Sequence, residues 1–309
     1  MEPTRWQQLD NRTLAAFGAM VVIGGMNVVA VRLSDRGLDP FFGAGLRFLL
    51  AAVLLYVLIS SRRIPMPTRA QLKGTLLYGL FGFGVSYAFA YVALLSLSSG
   101  VAAVLMGAVP LITLFLAVAH GVERFRGRAL IGAVIAIAGI SILVGVQSKA
   151  HIQIGALLLM LGGAVSAAES SVVLKKYPTG HPLATNAVAM GFGGLLLLSM
   201  SLTFGEHWAL PSGSATWASL IYLVVVGSIA LFWLFLYTIK RWAASRVSYV
   251  FVLTPIVASL AGAALAGDAV TPAMVAGGVI VLAGVYVGAL STPKARKAVP
   301  MVREDAAVA

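Results

Sequence analysis

The sequence predicts an all-α membrane protein with ten transmembrane helices, arranged as two inverted five-helix repeats around a central cavity. Three observations lead to this prediction. Of the 309 residues, 60% are apolar and only 10% are charged, and the mean hydropathy is +0.97. Many apolar stretches reach the roughly 20 residues that a helix needs to cross a bilayer. The second half of the chain also repeats the pattern of the first half.

Ten apolar segments are long enough to cross a membrane. They cover residues 13–33, 41–60, 74–95, 100–119, 129–147, 154–174, 183–204, 215–239, 246–266 and 273–291. The division between the third and fourth segments depends on one turn signal, Leu97-Ser98-Ser99-Gly100. A count of nine segments would move all the later basic loops to the side of the membrane opposite the earlier ones, so the charge pattern supports ten.

Basic residues predict the orientation, because Lys and Arg in short loops prefer the cytoplasm. With the N-terminus in the cytoplasm, 18 of the 22 basic residues lie on that side. They are Arg5, Arg12, Arg62, Arg63, Arg69, Lys73, Arg124, Arg126, Arg128, Lys175, Lys176, Lys240, Arg241, Arg246, Lys294, Arg296, Lys297 and Arg303. The other side receives Arg32, Arg36 and Lys149. Both termini are therefore expected to be cytoplasmic.

An internal repeat appears when residues 99–144 are aligned with residues 244–289. At this offset of 145, Pro110 aligns with Pro255 and Glu123 aligns with Asp268. Each half contains five segments, so the second half enters the membrane from the opposite side, as in many secondary transporters. The predicted units are a first repeat at 1–148, an inverted repeat at 149–292 and a disordered cytoplasmic tail at 293–309.

Several classes of function do not fit this composition. The net charge of +12 is spread over short clusters between apolar segments, so we expect no nucleic-acid partner. The chain contains no cysteine, and its four histidines fall in separate loops, so we expect no metal site, no cofactor and no enzymatic activity. There is no P-loop for an ATP-driven pump.

The fourth and fifth segments carry a pattern that runs from Ser98-Ser99-Gly100 through Pro110 and Glu123 to Gly132 and Ala138-Gly139. This pattern, with its second copy, resembles the repeat of the EamA family in the drug/metabolite transporter superfamily. The resemblance implies a monomeric exporter in the bacterial inner membrane, with helices one to four and six to nine around the cavity and helices five and ten at the periphery. The chain is most similar to exporters of aromatic and other amino acids, which implies an amino acid as the small-molecule substrate.

Two prolines are predicted to break their helices in mid-membrane. Pro110 and Pro255 remove a backbone hydrogen bond and free the carbonyls of Met106 and Phe251. Free carbonyls are tolerated where they face protein or a water-filled cavity. Met106 and Phe251 are therefore candidates for the substrate cavity. A packing kink alone is the alternative.

Aromatic residues are further candidates for the substrate cavity, because rings hold an apolar side chain and hydroxyl groups hold a polar end. The candidates are Tyr78, Phe83, Tyr87 and Tyr91 in the third segment, Trp233 in the eighth and Tyr249 at the start of the ninth. Ordinary helix packing is the alternative. Trp208, Trp217 and Trp242 lie near helix ends and are predicted to anchor the chain at the membrane interface.

Three residues inside apolar segments are candidates for polar contacts with a solute. Arg47 could hold a substrate carboxylate with its guanidinium or extend to the lipid headgroups. Glu169 could carry a proton, bind a substrate ammonium or pair with a loop lysine. Asn27 could contact the cavity or bond a neighbouring helix. A multidrug exporter of lipophilic cations is the alternative function, and it would be expected to have a central carboxylate.

Overall fold

The computed structural model describes residues 10–97, 99–144, 153–211, 213–266 and 272–290, and this part of the chain contains helices and no β-strand. The helices are α1 (Asn11–Ser34), α2 (Pro40–Ser61), α3 (Arg69–Leu94), α4 (Ser99–Met106 and Val109–Ala119), α5 (Gly127–Val144), α6 (Ile154–Lys176), α7 (Pro182–Thr203), α8 (Ser214–Ile239), α9 (Ala244–Val247 and Val250–Ala266) and α10 (Pro272–Val285 continuing as Tyr286–Leu290). The predicted tail at 293–309, Lys149 and Asp268 lie outside the described residues.

The predicted all-α membrane fold is confirmed. Eight of the described helices are long and apolar enough to cross a membrane. The apolar parts of α5 and α10 are shorter, at Gly127–Ile142 and Val275–Leu290. Eight long helices and two shorter ones correspond in order to the ten predicted segments.

Helix starts follow from local capping. The Asp10 carboxylate accepts hydrogen bonds from the backbone N–H and the hydroxyl of Thr13, which begins α1 and lowers the pKa of that carboxyl. α3 begins at Arg69, five residues before the predicted start at 74. Thr68 and Gln71 form a reciprocal capping box there, and such a polar first turn carries no hydropathy signal.

The loops meet on two separate faces. On the face where α1 starts, called the N-terminal face, the ring of Phe17 lies 5.4 Å from that of Trp242 in the α8–α9 connection. Also on this face, the Lys240 ammonium donates a hydrogen bond of 2.9 Å to the carbonyl of Gly180, and burial lowers the pKa of Lys240.

The other face, called the opposite face, joins the α1–α2 and α7–α8 connections. The Glu206 carboxylate accepts hydrogen bonds from the backbone N–H groups of Phe41 and Phe42, at 3.0 and 2.7 Å, and so caps the start of α2. Asp35, at the end of α1, reaches the surface, yet the protein packed around its carboxyl raises the pKa to about 6. Connections that alternate between two faces are those expected of a chain that crosses ten times.

Helix packing follows a pseudo-two-fold symmetry. α2 packs against its repeat counterpart α7, and α5 packs against its counterpart α10. The other contacts recur when each helix is replaced by its counterpart in the other repeat. The contact α1–α9 then becomes α6–α4, α1–α8 becomes α6–α3, and α2–α8 becomes α7–α3. Five helices per half and this exchange of partners establish two inverted repeats.

The repeat also reproduces a local irregularity. α3 widens into a π-helical segment at Leu80–Val85, and α8 does so at Val225–Ala230. An offset of 145 residues places the first segment on the second, residue for residue. A π-helical segment displaces the regular hydrogen bonds of an α-helix and is frequent at functional sites.

Small residues bring α5 and α10 into close contact. A Cβ atom added at Gly132 would lie 2.6 Å from the carbonyl oxygen of Gly284, and one added at Gly139 would lie 2.6 Å from the backbone nitrogen of Val281. Such backbone approach is the role of small residues in membrane helices. The other sides of these helices carry exposed apolar side chains, including Val134 and Val279, so the pair lies at the periphery.

The two prolines behave differently. α4 is interrupted at Gly107 and Ala108, and Pro110 lies in the first turn of its second part. Pro255 lies inside an unbroken helix, Val250–Ala266, which corrects the predicted break there. Packing by neighbouring helices lets a helix continue past the one hydrogen bond that proline removes.

Candidate functional site

Six aromatic rings fill the space between α2, α3 and α8. This ring cluster consists of Phe48, Tyr78, Phe83, Tyr87, Phe232 and Phe235. Phe48 and Phe83 are fully buried, and Tyr78 is 1% exposed. The cluster therefore closes the centre of the molecule in this structure.

Phe48 and Phe83 lie at the middle of the cluster. The Phe48 ring centroid lies 5.0 Å from that of Phe83 and 4.9 Å from that of Tyr87, both edge to face. Phe83 is also 4.6 Å from Phe232 and 5.2 Å from Tyr78. Edge-to-face pairs are worth about 0.5–1.5 kcal/mol each beyond burial.

Rings continue from the cluster to the opposite face. Tyr87 lies 6.3 Å from Tyr91, Tyr91 lies 6.1 Å from Phe41, and Phe41 stacks on Phe204 at 5.2 Å. Phe204 is 60% exposed and ends the series. An aromatic or apolar side chain would thus meet ring surfaces along this whole half of the molecule.

Arg47 lies directly beside the ring cluster. Its guanidinium carbon is 5.0 Å from the centroid of the Phe48 ring. Nε donates a hydrogen bond of 2.7 Å to the Ser228 hydroxyl, and Nη2 donates one of 2.7 Å to the Gly227 carbonyl. The side chain is held across from α2 to α8 and does not extend to the headgroups.

The π-helical segment of α8 supplies these acceptors. The Gly227 carbonyl also accepts a hydrogen bond of 3.1 Å from Asn27 Nδ2 on α1. A Cβ at position 227 would clash with the Asn27 side chain, so only glycine permits this approach. Three helices thus meet at one carbonyl, and Asn27 makes the interhelical bond that was one of its two predicted roles.

Arg47 is a buried cation in an apolar surrounding. It is 3% exposed, and among the described residues it forms no ion pair. A buried charge is costly unless a countercharge compensates it, and an intramembrane charge indicates a functional site by default. The geometry suits the carboxylate of a solute, which the remaining N–H donors of the guanidinium could bind.

On the other side of the cluster, Tyr78 approaches a second polar group. Its hydroxyl lies 3.5 Å from Oδ1 of Asn186, which is on α7 and 1% exposed. The Tyr78 ring stacks on Phe235 at 6.4 Å. The ring cluster therefore has polar groups on both sides, with Arg47 toward the opposite face and the Tyr78–Asn186 pair toward the N-terminal face.

Two predicted cavity residues are not brought to this cluster. Trp233 is 40% exposed and stacks on Tyr237, because it lies on another side of α8 from Phe232 and Phe235. Tyr249 is 1% exposed, and its hydroxyl donates a hydrogen bond of 2.8 Å to the Ala129 carbonyl. Tyr249 fixes the start of α9 against α5.

Met106 and Phe251 meet elsewhere. Both pack, partly buried, against a small cluster of Val109, Ala164 and Ala168, where α4, α6 and α9 come together. They are related by the same offset of 145 residues. The two residues with the predicted free carbonyls therefore lie together at a contact between the repeats.

Glu169 also lies away from the rings. Its Oε1 is 3.6 Å from Nδ1 of His120, at the end of α4. The partner is thus a histidine that caps a neighbouring helix. Glu169 therefore supplies no carboxylate to the ring cluster.

Sequence reasoning missed three important residues. Phe48 is one of four aromatic residues in its segment, with Phe41, Phe42 and Tyr56, and nothing in the sequence distinguishes it from them. Ser228 is a common residue in an apolar helix. Phe232 could have been found, because the offset of 145 places Tyr87 on it and both rings lie beside Phe48. Trp242, predicted as an interface anchor, is fully buried.

A model of the EamA-like transporter family matches the chain twice, over residues 13–145 and 154–289. These ranges fall within the predicted repeats at 1–148 and 149–292, whose limits stay a prediction. The chain also superimposes on a crystal structure with a TM-score of 0.75, over 90% of this chain and 96% of the other. The two are 17% identical, so the likeness shows the fold alone.

Curated relatives align over most of the chain. YedA of Escherichia coli strain K12, described as an uncharacterized inner membrane transporter, is 32% identical over 290 residues, which are 92% of each chain. A probable amino-acid metabolite efflux pump of Salmonella typhimurium strain LT2 is 27% identical over 282 residues, which are 87% of this chain and 91% of the pump.

Proposed function

The chain belongs to the EamA-like transporter family, and from this premise we propose that it exports amino acids with aromatic or other apolar side chains. Transport is secondary or facilitative and proceeds by alternating access of the centre to the two faces. The name of the Salmonella relative, an amino-acid metabolite efflux pump, supports this substrate class.

One observation carries the proposal. A buried guanidinium with no acidic partner among the described residues lies 5.0 Å from a ring of the central cluster. An amino acid with an apolar side chain has the complementary parts, a carboxylate for Arg47 and an apolar group for the rings. A lipophilic cation lacks the first part and would be repelled by Arg47.

We propose that the N-terminal face is cytoplasmic and that the protein is a monomer in a bacterial inner membrane. The excess of basic residues in the loops of that face supports this orientation. The name of the Escherichia coli relative supports an inner membrane. Export then begins at the N-terminal face and ends at the opposite face.

The test is a panel of related solutes in proteoliposomes. We expect flux of labelled phenylalanine, tryptophan and methionine, and of 3-phenylpropionate, which keeps the carboxylate. Phenethylamine, which lacks the carboxylate, should not be transported by the protein. Flux of phenethylamine and of a lipophilic quaternary ammonium dye, without amino-acid flux, would favour a multidrug exporter instead.

The Arg47→Gln variant tests the assigned residue. Loss of hydrogen bonds to a charged group, about 1.5–3 kcal/mol, should raise KM for phenylalanine roughly 10- to 100-fold. Arg47→Lys keeps the charge but loses the planar donors that bind a carboxylate bidentately, and it should give an intermediate KM. Arg62→Gln, which removes an exposed arginine, is the matched control, and size-exclusion profiles verify folding. Equal KM values in the folded Arg47 and Arg62 variants would refute the role of Arg47.

A further inference from the structure

Unpaired polar atoms are concentrated on one side of the ring cluster. Among the described residues, seven buried side-chain nitrogen or oxygen atoms have no hydrogen-bond partner. Six of them lie toward the N-terminal face. One belongs to His120, beside Glu169, and the others belong to Thr185, Asn186, Thr238, Trp242 and Arg246. Buried polar groups are nearly always paired in native proteins, and an unpaired one is destabilising. Their concentration in one region makes it a place where a ligand with hydrogen-bonding groups would be stabilised.

Contacts connect Arg246 to the ring cluster. The Arg246 guanidinium carbon lies 5.5 Å from the centroid of the Trp242 ring. The backbone N–H of Trp242 donates a hydrogen bond of 2.8 Å to the carbonyl of Thr238. Thr238 lies one helical turn from Phe235, a member of the ring cluster. The three residues thus form a line from the N-terminal face toward the centre.

The line ends at the Tyr78–Asn186 pair. Phe235 stacks on Tyr78, whose hydroxyl faces Oδ1 of Asn186 at 3.5 Å and leaves Nδ2 of the amide unpaired. Asn186 lies four residues inside the start of α7, so it is on the same side of the rings as Thr238. We call Asn186, Thr238, Trp242 and Arg246 the inner donor strip.

The chemistry of the strip favours an anion. The indole N–H, the amide Nδ2 and the guanidinium Nε are donors only, and a threonine hydroxyl can donate as well. Arg246 is 5% exposed and forms no ion pair among the described residues. The neighbouring Glu123 is engaged elsewhere, because its carboxylate accepts hydrogen bonds from Ser245 and Arg126. A carboxylate, which is an acceptor only, is the complementary group for donors of this kind, beginning with the Arg246 guanidinium.

We propose that the inner donor strip is a second carboxylate-binding site, filled from the N-terminal face before the solute enters the ring cluster. This inference rests on the proposed export of amino acids, and it adds the site at which they are first bound. The Trp242 ring beside Arg246 offers an apolar surface for the side chain. The solute carboxylate would pass from the inner donor strip to Arg47 on the far side of the rings.

The test compares the two faces of the transporter. In proteoliposomes of uniform orientation, Thr238→Val and Asn186→Leu should raise KM about 5- to 20-fold for phenylalanine offered at the N-terminal face. KM at the opposite face should stay within twofold of wild type. Ser228→Ala, beside Arg47, is the matched control and should not change KM selectively at the N-terminal face. KM values that are unchanged, or raised equally at both faces, would overturn the proposal.

Stability distinguishes binding from packing. Thr238→Val removes an unpaired buried hydroxyl without changing the side-chain shape, so its apparent melting temperature in detergent should equal or exceed that of wild type. Weaker transport with undiminished stability indicates a binding role. A lower melting temperature that parallels the loss of transport would indicate a structural role and contradict the site.

A binding measurement separates this inference from the proposed function. In a protein with Trp6, Trp208, Trp217 and Trp233 replaced by phenylalanine, Trp242 is the sole tryptophan. Its emission should shift on titration with 3-phenylpropionate and not with phenethylamine, and Arg246→Gln should abolish the shift. A shift without amino-acid flux would sink the proposed function and keep the carboxylate site. Amino-acid flux without an emission shift would support the proposed function and contradict the carboxylate site.

Discussion

The Gly227 carbonyl shows how much a single residue can organise in an apolar interior. It accepts hydrogen bonds from Asn27 on α1 and from Arg47 on α2, at 3.1 and 2.7 Å. Both donors reach it because position 227 has no side chain and because the π-helical segment places this carbonyl toward them. The position of the buried guanidinium therefore depends on a residue with no functional group of its own.

Gly227→Ala should uncouple this network. The added Cβ would overlap the Asn27 side chain, which must move and release its hydrogen bond. We expect a loss of about 1–3 kcal/mol in stability and reduced phenylalanine flux, because Arg47 loses its fixed position. Thermal unfolding in detergent and proteoliposome flux measure the two effects.

Gly18→Ala is the control for that substitution. A Cβ at Gly18 on α1 would meet no atom within 4 Å, and alanine is a better helix former than glycine by about 1 kcal/mol. Stability should therefore stay the same or increase. If both glycine variants were equally stable and active, the role assigned to Gly227 would be contradicted.

At the scale of elements, the first part of α9 is held by a loop of the other repeat. The Glu123 carboxylate accepts hydrogen bonds from the backbone N–H of Ser245, at 3.1 Å, and from the Ser245 hydroxyl. Arg126 Nη2 binds the same carboxylate at 3.2 Å. A carboxylate at a helix N-terminus compensates both the unpaired N–H groups and the helix dipole. The α4–α5 loop thus acts as a cap supplied from outside the helix.

Glu123→Gln should weaken this cap while it preserves the side-chain volume. We expect a loss of about 1–2 kcal/mol in stability, because charged hydrogen bonds are stronger than neutral ones. Thermal unfolding at low and high salt measures the effect. Arg124→Gln, on an exposed neighbour, is the control and should leave the melting temperature unchanged. A Glu123→Gln variant as stable as this control would show that the cap contributes nothing.

At the scale of the whole molecule, the inverted repeats produce two different halves around one centre. Tyr87 and Phe232, which are related by the repeat, both lie beside Phe48. Phe83 and Ser228 are also related by the repeat, yet the first joins the rings and the second binds Arg47. A symmetric scaffold therefore carries an asymmetric set of side chains.

The proposed orientation can be mapped with single cysteines, because the chain contains none. Met66 is 44% exposed in the α2–α3 connection and Leu210 is 73% exposed in the α7–α8 connection. In intact spheroplasts, a membrane-impermeant maleimide should label Leu210→Cys but not Met66→Cys. Both variants should react after lysis. Labelling of Met66→Cys alone in intact cells would reverse the orientation.

The fold was predictable from the sequence because the bilayer imposes a strong one-dimensional rule. Every backbone polar group must be paired in hydrocarbon, so an apolar stretch of about 20 residues becomes a helix whatever its neighbours are. The segment predicted at 41–60 is α2 at Pro40–Ser61, and the segment at 183–204 is α7 at Pro182–Thr203. The alignment of Pro110 with Pro255 likewise revealed two repeats, since an offset is a property of the sequence alone.

The site depended on packing, which no one-dimensional pattern determines. Trp233 and Phe232 are neighbours in sequence and equally aromatic, yet the 100° turn between successive helical positions places only Phe232 among the rings. Arg47 could have extended to the headgroups, and the Gly227 carbonyl and the Ser228 hydroxyl on α8 hold it inside. The sequence by itself determined how often the chain crosses the membrane and that it repeats; only the tertiary structure decided which side chains meet at the centre, because contacts between distant segments depend on how the helices rotate and pack.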